Sequence, residues 1–208
     1  MGFATALQIE KGITAIIGSG GKTSLLCRLA SELSGRVLIC TTTHMFPPAE
    51  FPFAQRAEAW EGVLCVGTPT EMGKITAPQQ SFAELSALAD YILVEADGSK
   101  HLPLKAHAPH EPVIPPNCRQ VITVVGASGL NRPMEEAVHR PERFFALTGS
   151  AVATPEAVAL ALQAEALGDK ILIHQADTHR AEALALAEHL PKPLWIASVR
   201  KGEIECLY

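Results

Sequence analysis

Short apolar runs alternate along the chain with stretches whose apolar residues recur every three or four positions. Residues 13–17 (ITAII) form the first run, short and β-branched, and predict a strand. Over residues 23–34, Leu25, Leu26, Leu29 and Leu33 share one helical face, and Gly35 stands where a helix stop belongs. The same patterns predict strands over residues 37–40, 63–66, 91–94, 121–125 and 171–173, with 194–197 as the last. Helices are expected over residues 81–90, 135–147, 154–167 and 180–190. Ser81 with Glu84 is a capping-box pair, and Thr154 before Pro155 is a cap with proline at the first helical position. Pro141 should kink or split the helix that contains it.

Alternating strands and helices predict an α/β fold, a mostly parallel sheet flanked by helices. No repeat interrupts the pattern, and one domain over residues 1–208 is expected. The proline-rich stretch 103–116 comes nearest to a linker, but strands on both sides fit one sheet, and loops of that length are often functional.

Composition narrows the class. With 48% apolar and 19% charged residues the chain can bury a core, and disorder is excluded. Acidic residues outnumber basic ones by 22 to 17, a net charge of -5, which argues against a nucleic-acid partner. Five widely spaced cysteines without a CxxC pair favour neither a disulfide framework nor a zinc site and fit a reducing compartment. No apolar run reaches the ~18 residues that cross a bilayer, and residues 1–10 lack the features of a secretory signal. A cytoplasmic protein with no membrane partner is expected.

The strongest chemical signal is GSGGKT, comprising Gly18, Ser19, Gly20, Gly21, Lys22 and Thr23, with Ser24 next, between the first strand and the first helix. Glycines let backbone amides approach phosphate, and the helix start adds partial positive charge. Lys22 would reach the β- and γ-phosphates, and the Thr23 hydroxyl would ligate Mg²⁺. Ile16 stands where a full Walker A motif has its first glycine, so the loop is a shortened form, similar to that of Mur-type peptide ligases. The competing reading is an ordinary glycine-rich turn.

Other candidates fall at strand ends, the ligand-facing edge of an open α/β sheet. Glu95 and Asp97 end the strand 91–94, and either can hold Mg²⁺ or orient water. TTTHM, with Thr43 and His44, follows the second strand. KHLPLKAHAPHE (100–111) gathers Lys100, His101, Lys105, His107, His110 and Glu111, suited to an anionic substrate or, through His107 and His110, to zinc. Residues 126–143 carry Asn131, Arg132, His139, Arg140 and Arg143, with Arg132 a further candidate for anion recognition. HQAD (174–177) ends another strand in the manner of a GTPase base-reading motif, with His174 and Gln175 in place of Asn and Lys. Asp177 would then read the base, or cap the helix that follows.

The ordered set GSGGKTS, TTTHM, ILVEADGSK, LPLKAHAPHEPVIP, GLNRP, VHRPERF and HQAD resembles the selenium-dependent molybdenum hydroxylase accessory proteins of the YqeC type, over residues 12–177. The resemblance implies a nucleotide-dependent accessory role in maturing or inserting a selenium-containing molybdenum cofactor, with residues 18–23, Glu95 and Asp97 as matching positions; the glycine turn and the strand-end acids predict a P-loop NTPase-like domain using ATP or GTP with Mg²⁺. Its partner would be a molybdenum hydroxylase or a cofactor-maturation protein. A small-molecule kinase or ligase, a nucleotide-gated adaptor with little catalysis and a metallochaperone are the alternatives.

Overall fold

The computed structural model describes residues 1–208. In chain order its elements are α1 (Phe3–Ala6), β1 (Gly12–Gly18), α2 (Lys22–Glu32), β2 (Val37–Thr41), β3 (Phe53–Ala54), β4 (Val63–Val66), β5 (Thr68–Pro69), β6 (Ile75–Thr76), α3 (Phe82–Leu88) and β7 (Tyr91–Glu95). There follow β8 (Leu104–Lys105), β9 (Cys118–Gly126), α4 (Met134–Ala137), β10 (Val138–His139), α5 (Pro141–Thr148), α6 (Pro155–Glu165), β11 (Lys170–His174), α7 (Arg180–Glu188), β12 (Leu194–Ser198) and β13 (Glu203–Leu207).

Nine strands make one sheet in the order β13-β12-β11-β9-β1-β7-β2-β4-β3, and every neighbouring pair is parallel except β12 with β13. The expected α/β architecture is therefore present, with helices on both faces. Side-chain alternation along β1 divides the core. Ile16 joins Phe3 and Leu7 of the α1 region and Leu25, Leu26 and Leu29 of α2 on one face. Ile13, Ala15 and Ile17 meet Leu38, Ile92, Val94 and the α3 residue Leu85 on the other. The three α2 leucines are fully buried, and each contributes about 1.5–3 kcal/mol. A third cluster joins Val125, Ile173 and Ile196 to Phe144 of α5, Val158 of α6 and Leu186 of α7.

Strand order positions the site. From β1 the chain moves outward to β2 and then to β3 at the margin, places β4 between those two, returns to insert β7 between β1 and β2, then continues on the opposite side of β1 through β9, β11 and β12. Order reverses at β1, and in open α/β sheets the crevice beyond the carboxyl ends at such a reversal is where ligands bind.

Local signals explain most boundaries. The Ser81 hydroxyl accepts from the Glu84 amide while Glu84 accepts from the Ser81 amide, closing the capping box of α3. Thr154 accepts from the Ala157 amide at the start of α6. The helix expected over residues 135–147 is divided into α4, β10 and α5. Pro141 has no amide to donate and would clash with the carbonyl one turn back, so it opens α5 instead. Val138 and His139 then extend and pair in parallel with Leu104 and Lys105 inside the proline-rich stretch. Residues 194–197 are not the last strand, because β13 folds back antiparallel beyond Gly202. No helix is long and apolar enough to cross a membrane.

Candidate functional site

The glycine-rich turn runs from the end of β1 into α2. A Cβ on Gly20 would stand 2.4 Å from the Gly126 Cα and 2.7 Å from the Pro103 carbonyl oxygen, and one on Gly21 would stand 2.2 Å from the His174 Nδ1. Both residues also have positive φ, +84° and +136°, so only glycine fits. The Gly18 amide donates to Asp97 Oδ2 at 2.8 Å and the Ser19 amide to the Val124 carbonyl at 2.8 Å. Ser19 is thereby withdrawn from the expected set of phosphate donors, and its hydroxyl donates to the Leu102 carbonyl. The amides of Gly20 and Gly21 donate to nothing within the chain, and α2 begins at Lys22 with no side-chain cap. Its first-turn amides point outward at the positive end of the helix dipole.

Lys22 is buried beneath this turn. Its Nζ donates to the Gly18 carbonyl at 2.8 Å and the Ser99 hydroxyl at 3.1 Å, and faces Asp97 Oδ1 at 3.1 Å as an ion pair lacking hydrogen-bond alignment. The Thr23 hydroxyl is exposed at the helix start and donates to Glu95 Oε2 at 2.7 Å. Burial pushes the Glu95 carboxyl above its ordinary range, against the opposing pull of Lys22 and Thr23.

Asp97 belongs to a closed ionic network. Its Oδ2 is 3.2 Å from Lys105 Nζ and 2.8 Å from His107 Nε2. Burial opposes its ionisation, but the His107 hydrogen bond and the charges of Lys22 and Lys105 prevail and hold the carboxyl at about 2. His107 Nδ1 lies 2.7 Å from Glu165 Oε2 on α6. Ionised carboxylates only accept hydrogen bonds, so both ring nitrogens donate and the ring is an imidazolium. Burial works against that charge, and the bonds to Asp97 and Glu165 keep its pKa above the usual histidine value. Lys105 also pairs with Glu111 at 2.7 Å, and Arg140 grips Glu111 with two bonds of 2.6 and 3.1 Å.

Above the turn lies a cleft of about 920 Å³, and only three of its 22 lining residues are hydrophobic, which suits a polar ligand. Gly20, Gly21, Lys22, Thr23, Ser24 and Glu95 form its floor; Thr43, His44 and Glu111 also reach it. Other expected residues do not. Lys105 has a fully buried side chain committed to ion pairs. Arg132 is exposed and paired with Glu136 at 3.1 Å. His110 is exposed and does not line the cleft, and with both nitrogens of His107 taken these two histidines share no site. No group of three or more His, Cys, Asp or Glu side chains is arranged to hold a metal ion.

In the HQAD segment His174 and Gln175 line the cleft, but their polar atoms are bonded to the scaffold. His174 Nε2 accepts from the Val199 amide at 3.2 Å, which leaves Nδ1 to donate to the Gly20 carbonyl at 2.6 Å. Burial lowers its pKa and favours that neutral ring. Gln175 Oε1 accepts from the Ser128 amide. Asp177 is outside the cleft lining, and His179 rather than Asp177 occupies the N-cap of α7. Sequence reasoning gave no role to Ser99, although it lies within the ILVEADGSK segment, and missed Lys74 and Glu165, which carry no motif and acquire their neighbours only through the fold.

The fold and this cleft define an α/β protein with a donor-lined glycine turn at the reversal point of a mostly parallel sheet. The family model described as YqeC protein matches residues 14–142. The chain is also 37% identical, over 186 aligned positions, to "Uncharacterized protein YqeC" of Escherichia coli (strain K12), covering 74% of this chain and 68% of that relative. The chain belongs to the YqeC family. No solved structure matches it. The family match takes in the glycine turn, Glu95, Asp97 and Arg140, whereas Glu165 and His174 lie beyond it.

Proposed function

We propose that residues 1–208 act as one cytoplasmic unit that binds a magnesium-complexed nucleoside triphosphate, ATP or GTP, in a P-loop-like manner. The observation that carries this reading is the pair of uncommitted amides at Gly20 and Gly21, set before an uncapped helix start and beside Lys22. Hard oxygen donors suit Mg²⁺, and the Thr23 hydroxyl and Glu95 carboxylate fit it at 2.7 Å from one another. They would hold the ion, which neutralises phosphate charge when bound.

Lys22 would exchange the Gly18 carbonyl for a phosphate oxygen while Asp97 remains its counter-charge. Asp97 is then a positioning residue and Glu95 the acid at the metal. Turnover would drive a conformational or assembly step, and the family resemblance makes that step accessory to maturation or insertion of a selenium/molybdenum cofactor. A molybdenum hydroxylase or a maturation protein would be the partner. The reading is tested by calorimetric titration with ATP and GTP analogues, with and without Mg²⁺. Saturable, magnesium-enhanced binding that weakens in Lys22→Ala is expected; absence of binding to folded protein overturns it. A second reading, phosphoryl transfer to a small molecule, is favoured by the extent of polar cleft beyond the glycine turn.

A further inference from the structure

The cleft has a second chemical character away from its floor. Lys74, Lys100, His44, His101 and His139 line it, and none of these side chains has a carboxylate partner. The lining carboxylates are Glu95, bonded to Thr23, and Glu111, held between Lys105 and Arg140. A chain with net charge -5 thus places two unpaired lysines, Lys74 and Lys100, in one concavity, where field lines focus on an anionic ligand.

Placement of these groups is fixed by the fold. Lys74 lies over the Phe46 ring, 5.1 Å from its centroid. Lys100 and His101 both adopt left-handed backbone, φ 49° and 62°, an unusual pairing for residues with side chains and a local strain of the kind found at ligand sites. His139 is anchored opposite Lys105 in the β8–β10 pair, which begins next to Pro103, the residue whose carbonyl packs on Gly20. Its imidazole is half-buried, makes no hydrogen bond within the chain and faces the cleft. Burial first, then Arg140, Lys105 and Lys100, push its pKa below the ordinary histidine value against the opposing pull of Glu111. A neutral ring in a positive setting is suited to accept a proton from a bound hydroxyl or amine.

We propose that Lys74, Lys100, His101 and His139 form a second subsite, for a small molecule bearing a phosphate or carboxylate group, beside the glycine turn. It rests on the nucleotide reading only for what occupies that turn. The acid group would pair with the lysines, and His139 would take the hydrogen bond of an adjacent hydroxyl or amine.

Histidine ring resonances followed by NMR test this, with inorganic phosphate added alone and again after saturation with Mg²⁺ and ATP or GTP analogues. Phosphate should shift His139 and His101 in both arms, and its affinity should fall about tenfold or more in the Lys74→Ala/Lys100→Ala double variant, as loss of a charge-assisted bond requires. Shifts abolished by the bound analogue would assign these side chains to the nucleotide and overturn the subsite while leaving the nucleotide reading intact. Shifts equal in the double variant, or none in either arm, would also overturn it. If the analogues do not bind but phosphate still shifts His139 in a lysine-dependent way, the nucleotide reading fails and the subsite stands.

Discussion

Glu95 and Asp97 lie two residues apart at the end of β7, and the charge of Lys22 acts on both, yet burial affects them with opposite outcomes. Glu95 has a single side-chain donor, Thr23, and desolvation raises its pKa. Asp97 is enclosed by the Gly18 amide, Lys22, Lys105 and His107, and the same desolvation is overcome. The number of donors and cations around a carboxylate, rather than its place on the strand, decides whether it is held ionised or remains responsive. Asp97 braces the glycine turn from below, and Glu95 is left to face the cleft.

The largest expected effect comes from removing the braced acid. Asp97→Ala leaves Lys22, Lys105 and His107 buried without their common counter-charge, and breaking such a set costs about 3–5 kcal/mol. Urea unfolding should show a loss of that size; a stability close to wild type would mean that the network contributes nothing to holding the turn.

A second expectation concerns pH. The Asp97 pKa falls from 3.8 unfolded to about 2 folded, so its contribution, about 2 kcal/mol, is complete above the unfolded value and lost as pH falls through the folded one. His107 has a folded pKa raised above 6.5, so its contribution is complete below 6.5 and lost as pH rises through the folded value. Urea midpoints should therefore decline at both ends of the pH scale, and Glu165→Gln should diminish the alkaline decline.

Glu95→Gln should alter stability by no more than about 1 kcal/mol, since a neutral amide keeps the Thr23 bond and avoids a buried charge. Its effect should appear as a roughly tenfold loss in the magnesium enhancement of nucleotide affinity. Equal enhancement in both proteins would remove Glu95 from the metal. Ser81→Ala, in the capping box of α3, provides the scale for a change with no charge beneath it. A loss of about 1 kcal/mol, with nucleotide titrations unaltered, is expected.

What the sequence disclosed follows from how local each signal is. The apolar run of β1, the glycines after it and the leucine face of α2 are contiguous, and the capping residues Ser81 and Thr154 act over three positions; all are realised. The β8–β10 pair is two residues long on each side and exists only because residues 104–105 meet 138–139, a contact no local pattern encodes. His107 was legible as a histidine in a charged loop, but its role depends on Glu165, 58 residues away. His174, at the strand end where a base reader was expected, bonds to Gly20 across 154 residues. Short-range grammar thus located the turn, and long-range hydrogen bonds divided its neighbours between scaffold and cleft.

The two margins of the sheet have a consequence for the protein in a crowded solution. An exposed strand with free backbone groups recruits other chains when it is long, flat and apolar. Here one margin is β3, two residues long. The other is β13, whose outward Glu203 and Glu205 alternate with half-buried neighbours and whose Glu205 pairs with Arg180 at 2.7 Å. Brevity on one side and exposed charged side chains on the other leave little for a foreign strand to extend, so a nine-stranded sheet carries its own protection against edge-to-edge aggregation.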